Sequence, residues 1–270
     1  MLGLNDDEIN RYSRHILLEE VGGKGQVKLK NATVGIAGCG GLGNPAIQVL
    51  AAAGIGTLKI ADGDRIDITN LPRQFLFGTD DVGRWKTEVI EEKVHQANEN
   101  VAVTVFNGFL DKATIAPFLE GCNYVIEASD NLATKFLIND ACVHFSIPLT
   151  IAGVVRTYGQ ILSVIPGQTA CYRCIFGEPT ADDGANSCSA VGVLNSVPAL
   201  AGVLQANEAI KAILELPTRL AGNMFLFNLI EDSYEFITVK KNDKCKACSK
   251  PEDAFYLEET YGTPDNSCSE

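Results

Sequence analysis

The architecture follows most directly from residues 32–50, which have the sequence ATVGIAGCGGLGNPAIQVL. The apolar run at 32–38 is typical of a short buried strand, GCGGLG forms a turn, and an Ala-rich helix continues to about Ala53. A second apolar segment, TLKIAD at 57–62, predicts another strand that ends in an acid, Asp62. Because the GxGxxG turn joins a strand to a helix, the pattern predicts a Rossmann-type site for an adenosine nucleotide.

The alternation of strands and helices continues on the C-terminal side of this unit. Further strands are predicted at 101–106, 123–129 and 148–154, and helices at 84–98, 112–120 and 131–145. Such alternation predicts an α/β fold with a Rossmann-like, doubly wound and mostly parallel sheet. Residues 5–30 are predicted to form an amphipathic helical arm ahead of that sheet.

The pattern changes after Arg156, where the strands no longer alternate regularly with helices. The later elements are predicted to be a strand at 159–166, a long helix at 196–216 and a hairpin pair at 223–229 and 233–239. They predict a C-terminal antiparallel extension of the sheet. Small and polar residues at 178–190 predict a mobile loop, and the polar segment at 250–270 predicts a flexible tail.

The composition argues against several classes of function. The 270 residues carry a formal net charge of -12, whereas nucleic-acid and anionic-membrane partners both need clustered Lys and Arg. No segment has the roughly 20 consecutive apolar residues of a membrane span, and the charged N-terminus is unlike a signal peptide. A cytoplasmic protein is therefore expected.

The glycines of the turn, Gly38, Gly40, Gly41 and Gly43, allow the backbone to approach a phosphate, which the helix N-terminus also attracts. Asp62 can accept a hydrogen bond from a ribose hydroxyl. These two features do not distinguish NAD from ATP, and taken alone they favour a dehydrogenase.

Three polar residues beyond the second strand, Asn70, Arg73 and Lys86, have no evident use in a dehydrogenase. Nucleotidyl transfer does need such groups, because negative charge builds up on the α-phosphate and on the leaving pyrophosphate. The alternative is that they are solvated polar groups on a loop and at a helix start.

Ser129, Asp130 and Asn131 stand at the end of the predicted strand 123–129, at the edge where open α/β sheets bind ligands. Asp130 is a candidate Mg²⁺ ligand, since Mg²⁺ usually takes one or two carboxylates plus substrate phosphates. The alternative is a helix N-cap formed by Asp130 or Ser129, and both roles can hold at once.

The nine cysteines include two CxxC pairs, Cys171 with Cys174 and Cys245 with Cys248. Four thiolates complete a tetrahedral Zn²⁺ shell without an open position, so the pairs predict a structural zinc clasp between distant segments. A redox motif or disulfides are the alternatives.

Cys188 lies in the predicted mobile loop and is the candidate nucleophile, with an incidental loop cysteine as the alternative.

Taken together, these residues resemble the MoeB/ThiF/HesA group, the prokaryotic relatives of ubiquitin-activating enzymes. The resemblance follows collinear motifs through most of the chain, and the NLPRQ motif and the paired CxxC motifs are its most specific parts. The motifs are RYSRH (11–15), GCGGLGNP (38–45), IADGD (60–64), NLPRQ (70–74), GRWK (83–86), ASDN (128–131), CYRC (171–174), CSAVGVL (188–194) and CKAC (245–248).

The resemblance implies an activity and partners. Members of the group use MgATP to adenylate the C-terminal glycine of a ubiquitin-like sulfur-carrier protein that ends in Gly-Gly. They act as homodimers and serve molybdopterin, thiamine or related biosynthesis. A single adenylation domain at 1–250 is then expected, with the arm at 5–30, a nucleotide-binding half at 32–155 and a carrier-binding and zinc half at 156–248. Nothing after Cys248 resembles a rhodanese domain, so a separate sulfur donor is expected.

For the nucleotide, the resemblance implies that Gly41 and the neighbouring loop amides contact phosphate and that Asp62 contacts the ribose. Asn70, Arg73 and Lys86 are expected to hold the triphosphate and to stabilise the transition state.

For the other candidate residues, the resemblance implies that Asp130 binds Mg²⁺ with Asn131 beside it. Arg14 is expected to reach the ATP site of the other subunit, and the four cysteines of the CxxC pairs to hold zinc. Cys188 matches a position that carries a thioester or persulfide in some members. The chain departs from the family at 190–196, where it has AVGVLNS and the family often has EAGVLGP.

Three rival functions use fewer of these residues. An NAD-dependent oxidoreductase needs only the Gly-rich turn and Asp62. A non-catalytic interaction module needs neither Arg73 and Lys86 nor Asp130. A closer rival adenylates a different carboxylate, such as the C-terminus of a peptide or a tRNA-linked threonylcarbamoyl group.

Overall fold

The computed structural model describes residues 3–178, 191–257 and 261, so the candidate nucleophile Cys188 lies outside the described residues. The strands are β1 (Thr33–Ala37), β2 (Thr57–Asp62), β3 (Ala102–Asn107), β4 (Tyr124–Glu127), β5 (Leu149–Val155), β6 (Tyr158–Val164), β7 (Asn223–Asn228) and β8 (Ser233–Thr238). The helices are α1 (Asp6–Arg11), α2 (Ser13–Ile16), α3 (Gly22–Lys30), α4 (Gly43–Ala53), α5 (Lys86–Ala97), α6 (Ile115–Leu119), α7 (Leu132–Phe145), α8 (Tyr172–Phe176), α9 (Ser196–Leu214) and α10 (Pro251–Ala254), with 3-10 turns at Ile68–Asn70 and Thr79–Asp81. None of the helices in these ranges is both long and apolar enough to cross a membrane.

These strands form one sheet in the order β3-β2-β1-β4-β5-β6-β7-β8. Neighbouring strands from β3 to β5 are parallel, and β6, β7 and β8 are added antiparallel. The predicted fold, a doubly wound and mostly parallel sheet with an antiparallel C-terminal extension, is therefore confirmed. Chain order reverses between β1 and β4. Ligands of such sheets bind outside the carboxyl ends of the strands at the reversal.

Both faces of the inner strands β1 and β4 are buried, and alternate side chains of each strand point to opposite faces. On one face, Val34 and Ile36 of β1 belong to a core that also contains apolar residues of α4, α5 and α9. On the other face, Val125 of β4 and Ile151 of β5 belong to a core with residues of α6, α7 and α8. The strands are thereby held between two helical layers, and their carboxyl ends have fixed positions.

The helical arm expected at 5–30 is divided into three short helices, α1, α2 and α3. The chain turns at Gly22, whose φ of +58° lies in the left-handed region. Tyr12, between α1 and α2, is buried, and its hydroxyl accepts a hydrogen bond of 2.8 Å from the Asn98 side chain. Its ring lies against Gly54, where a Cβ atom would collide with it. The arm is therefore attached to the domain rather than extended from it.

The described residues after 250, which are 251–257 and 261, differ from the flexible tail expected at 250–270. Ala254 in α10 is fully buried, and the Tyr261 hydroxyl donates a 2.8 Å hydrogen bond to Asp140 Oδ2 in α7. The polar composition of the tail did not indicate this burial, which comes from apolar and aromatic side chains such as Ala254 and Tyr261. The described part of the segment is thus packed on the domain.

Candidate nucleotide and metal sites

The Gly-rich turn joins the carboxyl end of β1 to α4 and packs against the end of β4. Gly38 has a φ of +97°, and a Cβ atom there would stand 2.6 Å from the Ala128 carbonyl oxygen. A Cβ atom on Gly43 would collide with the Gly38 carbonyl oxygen. By contrast, a Cβ atom on Gly40 would find its nearest neighbour, the side-chain nitrogen of Gln74, 3.7 Å away. Gly38 and Gly43 therefore allow the tight turn, and Gly40 leaves open space above it.

Asn44, which lies within the GCGGLGNP motif but had no role assigned from the sequence, braces this turn. Its fully buried side chain donates a 2.7 Å hydrogen bond to the Cys39 carbonyl oxygen. Its Oδ1 accepts a 2.7 Å hydrogen bond from the Leu76 backbone N–H. The amide therefore ties the Gly-rich turn to the segment that carries Arg73. The signal available in the sequence was a polar residue at the start of a mostly apolar helix. The role of Asn44 follows only from its contacts with Cys39 and Leu76.

Asp62 ends β2 beside the same turn. Its Oδ2 accepts a 2.7 Å hydrogen bond from the Cys39 N–H, and its Oδ1 accepts one of 2.8 Å from the Asp64 N–H. Burial raises the pKa of this carboxyl, and the Lys86 ammonium opposes the shift. Each carboxylate oxygen can accept more than one hydrogen bond, so Asp62 can both brace the turn and bind a hydroxyl.

Lys86 is the first residue of α5, and its ammonium points into the same cluster. Its Nζ lies 2.6 Å from Asp64 Oδ2 and 3.8 Å from Asp62 Oδ1. Burial lowers the pKa of this lysine, but the charges of Asp62 and Asp64 outweigh burial and the net pKa is raised. Only 5% of the residue is exposed, so the alternative of a solvated lysine at a helix start is wrong.

Arg73 and Asn70 lie in the turn region after β2. The Cγ of Arg73 is 3.4 Å from the position that a Cβ on Gly41 would take, so its stem lies against the Gly-rich turn. Its Nη1 donates a 2.9 Å hydrogen bond to the Thr69 carbonyl oxygen. Asn70 Oδ1 accepts a 3.1 Å hydrogen bond from the Asp67 N–H and so closes its own 3-10 turn. Both side chains are half-buried and can reach solvent.

Asp130 and Asn131 occupy the loop between β4 and α7. Asn131 is the N-cap of α7, since its Oδ1 accepts a 2.8 Å hydrogen bond from the Thr134 N–H. The alternative of a cap formed by Asp130 or Ser129 is therefore wrong. Asp130 is exposed and has no hydrogen bond or ion pair with the described residues, which leaves its carboxylate able to bind a hard cation.

The four cysteines of the two CxxC pairs meet at one point, although 74 positions separate Cys171 from Cys245. All four Sγ atoms lie within 4.8 Å of one another, with Cys171 3.6 Å from Cys245 and Cys174 3.3 Å from Cys248. Zn–S bonds of about 2.3 Å in a tetrahedron place the sulfur atoms about 3.8 Å apart. The backbone N–H of Asn242 also donates to Cys174 Sγ at 3.4 Å, so the cluster fits a structural zinc ion.

Arg14 is not brought to this site within one chain. It lies in α2, is exposed and forms no hydrogen bond or ion pair with the residues that the structure describes. Cys39, in the Gly-rich turn, and Cys122 and Cys142 are buried in the core clusters.

Comparison with known proteins places these residues in a family. A model of the ThiF family matches residues 12–247. The chain is 36% identical to a SAMP-activating enzyme E1 of Haloferax volcanii, over 95% of this chain and 97% of that protein. It is 36% identical to a sulfur carrier protein adenylyltransferase of Thermus thermophilus, over 90% of this chain and 91% of that protein. It is also 38% identical to an adenylyltransferase and sulfurtransferase, MOCS3, of Anopheles gambiae, but spans only 56% of that longer protein.

Solved structures show the same architecture. E. coli MccB with ATP matches with a TM-score of 0.76 and 28% identity, over 88% of this chain and 74% of that one. MccB in complex with N-formylated MccA matches with a TM-score of 0.77 and 27% identity, over 90% of this chain and 76% of that one.

Proposed function

The chain belongs to the ThiF family, and we propose that it is an ATP-dependent adenylyltransferase acting on a ubiquitin-like sulfur-carrier protein. It transfers AMP to the C-terminal glycine carboxylate of the carrier and releases pyrophosphate. The observation that carries the proposal is the convergence of Arg73, Lys86 and Asp130 on the carboxyl ends of β2 and β4, around the Gly-rich turn. Relatives that match nearly end to end are named for this activity or for SAMP activation.

The chemistry needs positioning and charge rather than a general base. A C-terminal carboxylate has a pKa of about 3.5 and is ionised at neutral pH, so it can attack the α-phosphate directly. The phosphates lie in the open space above Gly40, where Arg73 and Lys86 stabilise the negative charge that builds up on them. The Asp62 carboxylate accepts a hydrogen bond from a ribose hydroxyl, and the Asn70 side-chain amide donates one to the triphosphate.

Two metal ions fit the residues that are present. Asp130 and the ATP phosphates would hold Mg²⁺, which supplies charge neutralisation when bound. Cys171, Cys174, Cys245 and Cys248 would hold a structural Zn²⁺ ion.

The rival activities account for less of the site. An NAD-dependent oxidoreductase has no evident catalytic role for the buried Lys86 and the half-buried Arg73. Adenylation of a peptide is favoured by the likeness to MccB with bound MccA, but that identity, 27%, is lower than the 36% to the carrier-protein adenylyltransferase. We therefore place the carrier protein first and the peptide second.

Other parts of the proposal concern assembly and sulfur transfer. We propose that the enzyme is a homodimer in which Arg14 enters the ATP site of the other subunit. Cys188 is proposed either to displace AMP from the acyl-adenylate and form a thioester with the carrier, or to take sulfane sulfur from the persulfide of a separate donor protein, which releases the donor's thiol. Residues 1–250 are proposed to act as one adenylation domain.

The decisive experiment is ATP–pyrophosphate exchange with purified carriers that end in Gly-Gly, with intact-mass detection of the acyl-adenylate. The Arg73→Ala variant should lose about 100-fold or more of the exchange rate. Lys28→Ala is the matched control, because Lys28 forms an exposed ion pair with Glu215 near the amino ends of the strands. Exchange that depends on no carrier, or that survives Arg73→Ala, contradicts the proposal.

A further inference from the structure

A buried ion pair lies directly beneath the loop that carries Asp130. Glu127 is the last residue of β4 and has no exposed surface, and Lys135 in the first turns of α7 is only 7% exposed. The Lys135 ammonium donates to Glu127 Oε2 at 2.5 Å. Neither residue is among those assigned above to ATP or to a metal ion.

The pair binds the backbone of the residue that precedes Asp130. Lys135 Nζ donates a 2.8 Å hydrogen bond to the Ser129 carbonyl oxygen. Glu127 Oε1 accepts a 2.8 Å hydrogen bond from the Ser129 N–H and a further short one from the Ser129 hydroxyl. Every polar group of Ser129 is therefore held by one member of the pair.

The same ammonium connects the loop to the next strand. Lys135 Nζ donates a third hydrogen bond, of 2.7 Å, to the Ala152 carbonyl oxygen in β5. On the far side of Asp130, Asn131 is fixed as the N-cap of α7. The residues before and after Asp130 are thus both immobilised, whereas the Asp130 carboxylate itself is exposed and has no partner among the described residues.

Stability alone does not explain such a pair. Taking two charges out of water costs several kcal/mol per ion, and an apolar pair of similar volume is often equally stable or more so. What an apolar pair cannot do is satisfy the N–H, carbonyl and hydroxyl groups of Ser129 in a tight loop. The arrangement matches the way that residues outside a metal's own ligands orient those ligands.

We propose that Glu127 and Lys135 are positioning residues, which hold the Ser129 backbone so that the Asp130 carboxylate meets the divalent cation of MgATP without rearrangement. This inference rests on the proposed function, because it requires Asp130 to bind that cation. The side chains of the pair form no hydrogen bond with the Gly-rich turn, Asp62 or Lys86, so the expected effect falls mainly on the metal-dependent part of ATP binding.

The test compares ATP affinity with and without Mg²⁺ by calorimetry, in the absence of carrier. The informative variant is the double substitution Glu127→Leu with Lys135→Met, which removes both charges and avoids an unpaired one. It should keep the wild-type affinity for metal-free ATP and lose about 10-fold or more of the enhancement by Mg²⁺. Amide hydrogen exchange at Ser129, whose N–H donates to Glu127 Oε1, should also become faster in the free protein. The single variant Lys135→Arg keeps a positive charge opposite Glu127 and should keep more of the enhancement than the double variant does.

Two further variants separate the possible failures. Asp130→Asn should abolish the enhancement by Mg²⁺. If it does not, Asp130 is not the metal ligand, and both that part of the proposed function and this inference are wrong. The matched control is Glu8→Gln with Lys30→Met, which removes another ion pair with a buried carboxylate, in the N-terminal arm. If the Glu127/Lys135 double variant binds MgATP like this control, or loses ATP affinity equally with and without Mg²⁺, the pair serves folding alone.

Discussion

Two glycines of the Gly-rich turn are expected to serve different purposes, and alanine substitutions can separate them. Gly38 is required by the fold, whereas Gly40 is required by the proposed ATP site. At Gly38, alanine would have to adopt a φ of +97° and place its Cβ 2.6 Å from the Ala128 carbonyl oxygen. The strained backbone costs about 1–3 kcal/mol, and displacement of the β4 end adds to it, so roughly 2–4 kcal/mol is expected. At about 2–4 °C per kcal/mol, Gly38→Ala should lower Tm by roughly 5–15 °C.

Gly40 has a different role in the same turn. A Cβ there has 3.7 Å to its nearest neighbour, so Gly40→Ala should change stability by no more than about 0.5 kcal/mol. The added methyl group would occupy the space proposed for the ATP phosphates, and ATP affinity should fall by about 10-fold or more. Calorimetric titration with ATP and thermal unfolding of the same samples separate the two effects.

The matched control for both variants is Gly78→Ala. Gly78 has an ordinary φ of -115°, and a Cβ there would lie 3.8 Å from the Asp81 carboxylate. It should leave both Tm and ATP affinity unchanged. If Gly40→Ala binds ATP as tightly as this control does, the phosphates do not lie above Gly40. If Gly38→Ala unfolds at the wild-type temperature, the backbone at Gly38 is not strained by a Cβ atom.

Three further changes act on separate parts of the molecule. Asp64→Asn removes a charge 2.6 Å from Lys86 Nζ. Since that charge helps to raise the lysine pKa, the protonated form should be lost at a lower pH, and the alkaline fall in ATP affinity should begin earlier in a titration from pH 7 to 11. Chelation of zinc from the four-cysteine cluster, followed by metal analysis, should lower Tm strongly and change ATP affinity little; an unchanged Tm contradicts a structural role. Tyr261→Phe removes the hydrogen bond to Asp140 and should cost about 1–3 kcal/mol in denaturant unfolding, while no measurable loss means that the contact does not anchor the segment.

Those parts of the fold that depend on local pattern were predictable from the sequence. The sheet followed from the alternation of apolar runs with amphipathic helices, and the Gly-rich turn from glycine spacing between a strand and a helix. The strands, the helices and the turn are each set by residues close in sequence. Lys86 and Asp130 were named as candidates from their residue types and their place after β2 and β4, and their roles in ATP binding stay predictions.

Features that depend on tertiary contact were not predictable in this way. The tail at 250–270 looked polar, yet Tyr261 reaches a carboxylate 121 positions earlier in the chain. The choice of N-cap among Ser129, Asp130 and Asn131 could not be made from composition, since all three residue types can cap a helix. The choice depends on which of these side chains is already hydrogen-bonded to the buried network of Glu127 and Lys135 below the loop.

That network explains why Asp130 is left over. The Ser129 hydroxyl and backbone are bound to Glu127 and Lys135, so Ser129 cannot turn its side chain toward the amides of α7. Asn131 therefore caps the helix, and its own side chain is occupied by the Thr134 N–H. Asp130, between two residues whose hydrogen bonds are already committed, is the residue of this loop with an exposed and unpaired carboxylate. A carboxylate that folding does not use is available to a cation, and the buried charges that bind Ser129 also hold the backbone immediately before Asp130.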